Sequence, residues 1–542
     1  MSRLSLLALL ACVCAAFAVA PQTATAGQPP AGSSISAGQA VTIARATPAV
    51  RDLAAQHHDL ALKATFVPGA YWHVAVSDPQ QALAEVIVTP SGDVKQIFTG
   101  LKATSYLARG KMDPVFRKPW VWGSFAVLFL LPFVDPRRLR RLLHLDLVVL
   151  LSFAVSWQLM AAAKADAAVW CFYPPLFYIL GRLLFAGLRP RQRRGALVPL
   201  LPTAALLVGV VALFGARVAL NVAHPEAVMD IGAASVVGAD RIVHKEQLYV
   251  DNAQHGDTYG PVNYIAYIPF EWAFPYQGVV DALWAAHAAT IFFDLMALLG
   301  LFMLGRRMRA GPEGRRLGLA LAWAWAAYPF TLFGVMNSTN DGLVAALVIW
   351  MLVAFARPAA RGALLGLAAA AKFFPGALLL VVARGRADEG RRAWVVSAAT
   401  CAGIVAFAFL IYLPPGGVRE LWNCTLGYQF SRPADLSAWA LVPDFTWAQK
   451  LLEGLGLALA AGLAVLPRGR RTLGQVAALA GAIAVAFQIP TGHWFYFYIM
   501  WFAPFALVAL FAEHLPAAAA AAAGEDDRDG ALDAPAPLAI AA

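Results

Sequence analysis

The stretch that decides the fold reads VMDIGAASVVGADRIVHKEQLYVDNAQHGDTYGPVNYIAYIPF and occupies residues 228–270. A long apolar run precedes it and another follows. Seven acidic residues lie in or beside it when Glu226 and Glu271 are counted, against three basic residues when Arg217 is counted. A segment this polar does not cross a bilayer, and it is too rich in Asp, Tyr, Gly and Pro for a simple connector. We therefore predict a loop that the rest of the chain holds at a membrane surface.

The composition is that of a polytopic membrane protein. The 542 residues are 60% hydrophobic and 14% charged, with a mean hydropathy of +0.63. Fractions of this kind are typical of chains whose apolar surface faces lipid rather than water. The formal charge of +10 comes from short basic clusters between apolar runs. This pattern indicates cytoplasmic loops rather than nucleic-acid binding, so we predict no nucleic-acid partner.

Residues 1–26 have the pattern of a secretory signal. Arg3 supplies the positive start, residues 4–20 form the apolar segment, and Ala-Thr-Ala at residues 24–26 is the cleavage site. A lipoprotein signal ending at Cys12 and an uncleaved membrane anchor are the alternatives. A cleaved signal predicts that the domain after it faces the extracytoplasmic side.

The cysteines offer neither a disulfide framework nor a metal site. Cys12 and Cys14 lie in the segment that we expect to be removed, and Cys424 is the one cysteine in a predicted loop. The other two lie in apolar runs, and no spacing among the five is typical of metal ligands. The sequence therefore predicts no metal and no cofactor.

Residues 27–117 predict a small extracytoplasmic α+β domain. The string YWHVAVSDPQQALAEVIVTPSGDVKQI at residues 71–97 resembles a PepSY-type domain, because alternating apolar residues lead into a Gly-Asp turn. Ser36 is the expected N-cap of a helix that ends at Arg45. The expected strands are 61–67, 71–76, 84–89 and 94–98.

From Lys118 onward, apolar runs long enough to cross the hydrocarbon core alternate with short loops. We predict a three-helix membrane extension over residues 118–195, a membrane core over residues 196–514 and a disordered cytoplasmic tail over residues 515–542. The expected spans, about eleven in all, are 119–134, 145–163, 168–188, 197–219, 278–304, 317–335, 342–356, 393–413, 447–466, 473–490 and 495–513.

Clusters of arginine set the predicted orientation. All of them fall on one side of the predicted membrane, as the excess of basic residues in cytoplasmic loops requires. They lie at residues 137–141, 189–194, 306–316 and 468–471. The polar loops at 220–277, 336–341, 414–446 and 490–494 are then extracytoplasmic.

Residues 362–383 break this alternation, because arginines flank them on both sides, at 357–361 and 384–392. A re-entrant hairpin of two half-helices, broken at residues 372–375, solves the conflict. Pro375 disfavours helix at the residue before it, and irregular backbone at that depth is tolerated inside protein or beside a water-filled cavity. The alternative is one full span with a misplaced basic cluster.

Polar residues at the rims of the predicted outer loops are the candidate site. A carboxylate at a membrane rim is partly desolvated, which raises its pKa toward the range of a general base. A lysine at membrane depth usually has a function, so Lys372 is a candidate site residue. The alternative is that its side chain snorkels to the inner face of the membrane. The aromatic residues around His493 are alternatively an interfacial belt.

Four strings in the predicted membrane core carry a resemblance to a known family. The first runs from Asp230 through Gly238, residues 248–249 and 259–261 to Pro269. The others are MNSTNDGLVAAL (336–347), RGALLGLAAAAKFFPGALLL (361–380) and GHWFYFYIMWFAP (492–504). They resemble GT-C membrane glycosyltransferases, and most of all glycosyltransferase family 87, the polyprenol-phosphate-mannose-dependent mannosyltransferases. The resemblance covers residues 197–513. It implies an all-α polytopic GT-C-like fold that moves a sugar, mannose or another hexose or pentose, from a polyprenyl-phosphate donor to an extracytoplasmic lipid or glycan acceptor with inversion.

The resemblance also implies a role for each candidate residue. An inverting displacement needs one base and no nucleophile, and we expect Asp230 to be that base. A lipid phosphate is already a good leaving group, so it needs cationic or hydrogen-bonding partners rather than a general acid. The expected donor-phosphate-binding residues are Arg432, His493 and Lys372. The expected substrate-binding residues are Tyr249, Tyr259, Tyr264, Asn337, Asp341, Trp439 and Tyr496.

Two other function classes stay open. Broken helices and a central lysine also suit a transporter or flippase for an anionic lipid-linked substrate, although the two halves show no repeat. A sensor or assembly factor built on the PepSY-like domain is the third class. The residues before 196 depart from the family pattern, which leaves the sugar and the acceptor open. We predict a multi-pass protein of a bacterial inner membrane, with the N-terminal domain and the site outside.

Overall fold

The computed structural model describes most of the chain between residues 29 and 514. The predicted signal and the predicted C-terminal tail lie outside the described residues. The gaps within the described part are residues 31, 58, 67–71, 78–81, 100–112, 114, 163, 192–195, 250–257, 278–282, 387–388, 432–433 and 435.

The N-terminal region has the predicted α+β structure. Helix α1 (Ala37–Arg45) begins after Ser36, whose side chain accepts a hydrogen bond from the Gln39 amide while the Gln39 side chain accepts one from the Ser36 amide. A second helix, α2 (Pro48–Gln56), was not predicted. The four strands form an antiparallel meander in chain order, β1 (Ala61–Phe66), β2 (Trp72–Ser77), β3 (Ala82–Val88) and β4 (Val94–Thr99).

The rest of the described chain is helical. The helices are α3 (Pro119–Leu130), α4 (Leu142–Ala161), α5 (Ala165–Leu188), α6 (Thr203–Val222), α7 (Asp230–Val243), α8 (Pro261–Ile265), α9 (Ile268–Ala273), α10 (Trp284–Met308), α11 (Gly311–Ala327), α12 (Pro329–Met336), α13 (Asp341–Val353), α14 (Pro358–Ala371), α15 (Leu379–Arg384), α16 (Gly390–Ile411), α17 (Gly417–Trp422), α18 (Tyr428–Ser431), α19 (Ala438–Leu441), α20 (Thr446–Val465), α21 (Leu473–Gln488) and α22 (Ile499–Ala512). Short 3-10 turns cover Val115–Arg117, Phe374–Leu378, Pro443–Phe445 and Tyr496–Tyr498, and a π turn covers Asn423–Gly427.

Six helices in the described part of the chain are long and apolar enough to cross a membrane, namely α4, α5, α6, α10, α16 and α20. Helices α11 and α12 together make a seventh candidate. The remaining predicted spans correspond to the shorter apolar helices α3, α13, α21 and α22. The chain is therefore a helical membrane protein, and these lengths do not establish the predicted number of about eleven spans.

Two predicted spans differ from the structure for reasons that involve proline. The span expected over residues 197–219 begins at Thr203, because Pro199 and Pro202 keep the residues before them out of helix. The span expected over residues 317–335 is two helices that meet at an angle of 59° before Pro329.

A buried ion pair stabilises the bend before Pro329. Arg217 of α6 forms two hydrogen bonds to Asp294 of α10, at 2.7 and 2.8 Å. The same guanidinium donates to the Ala326 carbonyl at 2.9 Å, close to where the helix is interrupted. Thr331 donates to the Trp325 carbonyl at 2.5 Å. Side chains thus satisfy carbonyls that lack helical partners, as buried backbone requires.

The predicted hairpin is present as a broken helix whose two ends meet. Helix α14 stops at Ala371, and the chain continues through the 3-10 turn into the short helix α15. Arg361, near the start of α14, donates to the Ala383 carbonyl at the end of α15 over 2.9 Å. A full span would separate these two residues by the thickness of the hydrocarbon core, whereas this contact places both ends of the segment at one end of the bundle, as the predicted re-entrant hairpin requires.

The arginine loops gather at one end of the helical bundle, called the arginine end below and defined by Arg141, Arg309, Arg316 and Arg471. Arg141 donates to the Ala196 carbonyl at 3.0 Å and lies 3.2 Å from His514 Nδ1. Arg309 donates to the His514 carbonyl, and Arg316 donates to the Val198 carbonyl. Loops far apart in the sequence thus share one end, as the predicted alternation requires.

Candidate functional site

The start of α7 lies against the turn between α12 and α13, at the end of the bundle opposite the arginines. The Met229 amide donates to the Asn337 carbonyl over 3.1 Å. A Cβ on Gly232 would lie 2.1 Å from the Ser338 carbonyl oxygen, so glycine is needed for this close approach. Asp230 is thereby the first residue of α7, with an exposed side chain that accepts from the Ile231 amide at 2.8 Å. The helix N-terminus favours its negative charge.

The turn at residues 337–341 is polar and completely buried. Ser338 adopts a left-handed conformation with φ of 50°, which non-glycine residues adopt rarely. Asn340 donates to Asn263 at 2.8 Å. His287 Nδ1 lies 3.0 Å from Ser338 Oγ. Hydrogen bonds with α6, α7, α8 and α10 therefore hold a strained turn in place, and such strain clusters at functional sites.

A lysine at the tip of the hairpin pairs with the last residue of this turn. Lys372 Nζ lies 2.5 Å from Asp341 Oδ1, and both side chains are buried. Trp501 Nε1 donates to the same carboxylate oxygen at 2.7 Å. The ammonium group also lies 5.3 Å from the centroid of the Tyr259 ring and 5.4 Å from that of Trp501. A carboxylate and two aromatic faces thus surround one cation.

Tyr259 is fixed above the hairpin tip by its own loop. The Gly260 amide donates to the Ala371 carbonyl at 3.1 Å, and a Cβ on Gly260 would lie 2.0 Å from the Ala370 oxygen. The hydroxyl of Tyr249 donates to the Tyr259 carbonyl at 2.8 Å. The hydroxyl of Tyr264 accepts from the Tyr259 amide at 3.1 Å. This loop therefore has little freedom to move away from Lys372.

Electrostatics link Tyr259 to both carboxylates of the site. Burial raises the pKa of the Tyr259 phenol well above its ordinary value, and the negative charges of Asp230 and Asp341 raise this pKa further. Lys372, which lies against this ring, contacts Asp341, and the hydrogen bond from the Met229 amide to the Asn337 carbonyl places the adjacent Asp230 at the same end. We call Asp230, Tyr259, Asp341, Lys372 and Trp501 the polar end cluster, and the end of the bundle that carries it the polar end.

The predicted site residues divide into two groups by position. Asp230, Tyr259, Asp341 and Lys372 come together, and His493 joins them indirectly. The His493 and Tyr498 rings are 6.2 Å apart, and Tyr498 stacks on Trp501 at 4.2 Å. Arg432 lies outside the described residues.

The other predicted substrate-binding residues have structural contacts. Tyr496 is buried, with its hydroxyl 2.7 Å from Ser156 Oγ, and its ring stacks on Phe330. Trp439 donates to the Ile489 carbonyl at 3.2 Å. Tyr249 and Tyr264 are buried and hold the Tyr259 loop, while Asn337 lies within the buried turn. In this structure these residues position their neighbours.

Trp501 and Asp113 were not singled out from the sequence. Trp501 lies in the aromatic string at residues 492–504, but an aromatic residue within an apolar helix gives no sign of its partner. The Asp113 amide donates to Asn337 Oδ1 at 2.7 Å, which attaches the end of the N-terminal region to the buried turn. Asp113 is spaced from its partner by more than two hundred residues, so no local signal indicates the contact.

Asp113 is buried beside a histidine and a glutamate. Burial raises the pKa of its carboxyl to about 6, although the nearby His224 and hydrogen bonds from the Val115 and Phe116 amides act in the opposite direction. His224 Nδ1 lies 3.4 Å from Glu226. The hydrogen bond that the protonated imidazole donates to the Glu226 carboxylate raises the pKa of His224. These groups form a titratable contact between the N-terminal region and the polar end.

The comparisons with known proteins bear on the second half of the chain. The family model described as glycosyltransferase family 87 matches residues 258–523. This segment contains Tyr259, Asp341, Lys372, His493 and Trp501, whereas Asp230 precedes it. A search of curated proteins found no match to the chain.

Proposed function

The chain is a membrane glycosyltransferase of family 87, and on that premise we propose that its donor is a sugar carried on polyprenyl phosphate. The observation that carries this proposal is the buried Lys372, which pairs with Asp341 at the tip of a re-entrant hairpin and lies under the ring of Tyr259. A cation at the tip of a membrane-embedded hairpin suits a phosphate that arrives from the lipid phase.

In this proposal Asp230 is the general base. Its carboxylate takes the proton of the acceptor hydroxyl while the hydroxyl oxygen attacks the anomeric carbon of the sugar. The bond from that carbon to the phosphate oxygen breaks, and polyprenyl phosphate leaves with the bonding electrons. Attack from the face opposite the phosphate inverts the anomeric configuration. Asp230 suits this role because it is exposed and lies within electrostatic reach of Tyr259.

Lys372 is the proposed partner of the leaving phosphate. Negative charge grows on that phosphate as the sugar departs, so a fixed cation stabilises the transition state more than the ground state. Asp341 and Trp501 hold the ammonium in position before the donor arrives. His493 and Arg432 are proposed as further phosphate ligands.

The ring of Tyr259 is the proposed platform for the sugar. The Tyr249 and Tyr264 hydroxyls fix the backbone of Tyr259, and Asp341 Oδ2 is a buried acceptor without a hydrogen-bond partner among the described residues. Such an acceptor suits a sugar hydroxyl. We propose a hexose such as mannose, or a pentose, as the sugar and a lipid or glycan as its acceptor.

The proposed location is a bacterial inner membrane with the polar end outside. The arginine end then faces the cytoplasm, as the positive-inside rule expects. The proposed PepSY-like N-terminal domain shares the outer side, because Asp113 at its end is attached to Asn337 of the polar end.

A donor assay with the full chain tests this function. The protein is reconstituted in liposomes with an acceptor-containing membrane extract and either polyprenyl-phosphate-linked radiolabelled mannose or a nucleotide-linked mannose. We expect label to reach the acceptor from the lipid-linked donor alone, with an inverted anomeric centre by NMR. Transfer from the nucleotide donor alone would contradict the proposal. Movement of the intact lipid-linked donor across the bilayer without sugar transfer would favour the flippase class instead.

A further inference from the structure

We propose that the helical segment 417–431 is a docking surface for the isoprenoid chain of the donor, an inference that rests on the proposed function and extends it. The segment comprises α17, the π turn at Asn423–Gly427 and α18. It connects α16 to α20, and both of these helices are long and apolar enough to cross a membrane. We call this segment the aromatic ledge.

The two faces of the aromatic ledge differ in what they contact. On the inner face, Leu421 and Cys424 pack against the cluster of Leu248, Tyr249 and Tyr264. On the outer face, three apolar side chains lie at spacings of four and eight residues. The exposed fractions are 71% for Val418, 49% for Trp422 and 77% for Phe430.

The π turn brings two aromatic rings of the outer face together. Trp422 and Phe430 stack with their ring centroids 6.1 Å apart. A Cβ on Gly427 would lie 2.8 Å from two atoms of the Trp422 indole, so the indole lies directly across this glycine. π turns within helices are rare and occur often at functional sites. The backbone irregularity and the glycine together build one flat apolar surface.

The inner face connects the ledge to the polar end cluster. Tyr249 and Tyr264, on which Leu421 and Cys424 pack, are the residues that hold the backbone of Tyr259 over Lys372. A ligand on the outer face of the ledge is thus separated from the catalytic loop by a single layer of side chains.

A second apolar connection runs along α16. Phe373, the neighbour of Lys372 at the hairpin tip, stacks on Phe409 of α16 at 6.1 Å. On the same helix, Phe407, Leu410 and Ile411 are exposed, and α16 leads directly into the ledge. An apolar chain lying on the end of α16 therefore lies between the ledge and the hairpin that carries the proposed phosphate-binding lysine.

The charge on the ledge indicates what kind of lipid it binds. Arg419 is exposed between Val418 and Trp422, whereas Glu420 accepts from the Gly416 amide at 2.7 Å. An exposed cation beside stacked rings matches a ligand with an anionic head and a long apolar chain. A polyprenyl phosphate has this chemistry: Arg419 attracts the anionic lipid toward the ledge, Lys372 binds its phosphate, and the stacked rings contact the isoprenoid chain, which does not react.

The test compares donors that differ only in lipid length. Initial rates are measured for long polyprenyl-phosphate mannose and for citronellyl-phosphate mannose, with wild type, Trp422→Ala, Gly427→Ala and the control Trp394→Ala. Trp394 is similarly exposed, at 46%, but lies near the other end of α16. Gly427→Ala keeps the tryptophan, but its Cβ would lie 2.7 Å from the Trp422 carbonyl and 2.8 Å from the indole, so it displaces the π turn and the ring together without removing a side chain.

We expect Trp422→Ala and Gly427→Ala to raise KM about tenfold for the long donor, the loss expected for one well-packed aromatic contact. The KM for the citronellyl donor and all values for Trp394→Ala should stay near wild type. If KM of Trp422→Ala and Gly427→Ala rises equally for both donors, or for neither, the ledge proposal is overturned. Sugar transfer by the wild type would still support the proposed function in that case. Failure of the wild type with both lipid donors would overturn the proposed function itself.

Discussion

The two ends of the helical bundle use cations in opposite ways. At the arginine end, Arg141 and Arg316 donate to backbone carbonyls of neighbouring loops, and Arg471 donates to the Leu463 carbonyl in the last turn of α20. At the polar end, Lys372 contacts one carboxylate and two aromatic rings. Arginine forks suit several fixed carbonyls at once, whereas a lysine is a compact charge that a phosphate can approach. The comparison supports our proposal that the polar end performs the chemistry and that the arginine end is scaffold.

The unsatisfied polar atoms of the two ends also differ. Among the described residues, buried oxygens without a hydrogen-bond partner at the polar end include Asn340 Oδ1 and Asp341 Oδ2. At the arginine end such an atom is Nη1 of Arg471. Buried acceptors near the surface of a site suit a ligand rich in hydroxyl groups, such as a sugar. Variants at either end can therefore test whether the two ends have different roles.

Loss of the polar-end cation should have the largest effect on stability. Lys372→Met leaves the buried Asp341 carboxylate without its partner, which costs about 3–5 kcal/mol for buried pairs. We expect a clear fall in Tm in detergent and no detectable sugar transfer. The double variant Lys372→Met with Asp341→Leu should regain most of the Tm but no activity.

The control for this prediction is Lys245→Met, which removes an exposed lysine from the same end. It should leave Tm and transfer unchanged. An active double variant would show that Lys372 has only a structural role.

The second-largest expected effect is a pH dependence of the free energy of unfolding, which arises from the buried carboxyl of Asp113. Its carboxyl has a pKa of about 6 in the folded chain against 3.8 ordinarily, a difference that corresponds to about 3 kcal/mol. Because the folded state binds the proton more tightly, the free energy of unfolding should rise as pH falls from about 6 toward 4. The measurement is Tm in detergent across this range.

Asp113→Asn should remove most of the dependence of Tm on pH. This variant therefore separates the contribution of Asp113 from that of His224. The pKa of His224 is also raised, so the stability from His224 is present at low pH and is lost as pH rises through its folded pKa. An unchanged slope in Asp113→Asn would assign the dependence to His224 and Glu226 instead.

A glycine at the hairpin contact should have an intermediate effect. Gly260→Ala places a Cβ 2.0 Å from the Ala370 oxygen, and relieving such an overlap costs about 1–3 kcal/mol. The shift moves Tyr259 away from Lys372, so we expect transfer to fall more than stability does. Gly403→Ala, with open space around its Cβ, is the matched control. Equal activity of the two variants would remove Tyr259 from the proposed site.

The smallest effect is expected at the arginine end. Arg316→Gln removes hydrogen bonds to the Val198 and Leu201 carbonyls, a loss of about 1 kcal/mol. Activity per folded molecule should be unchanged. A large fall in activity at constant folded fraction would mean that the arginine end contributes to catalysis, and the division between the two ends would fail.

Local patterns predicted much of the fold. The N-cap at Ser36, the strands and the break after Ala371 follow from neighbouring residues, and the structure confirms each of them. The arginine clusters correctly predicted which loops share an end. The bend before Pro329 was missed, although a proline within an apolar run is a signal for it. Helix α7 was missed because the polar stretch was interpreted as a loop.

The site was less predictable because its contacts join distant parts of the chain. Lys372 and Asp341 are separated by 31 positions, and Trp501 and Asp341 by 160. Lys372 and Asp341 were each singled out from the sequence, but no local signal pairs them with each other or with Trp501, because the hairpin and the bend in α11–α12 bring the three together. Tyr249 and Tyr264 have the residue type of sugar-binding aromatics, but their burial gives them a positioning role.

The proposed role of Asp230 as general base is tested by comparing Asp230→Asn with Asp240→Asn in the lipid-linked donor assay. Asn at position 230 keeps the acceptor for the Ile231 amide but cannot take a proton. Asp240 lies on the same helix and contacts His244 at 3.0 Å. If Asp230 is the base, kcat should fall about 10²–10⁴-fold in Asp230→Asn while donor binding is preserved. Asp240→Asn should keep near wild-type activity. Activity of Asp230→Asn within a few-fold of wild type would contradict this role of Asp230.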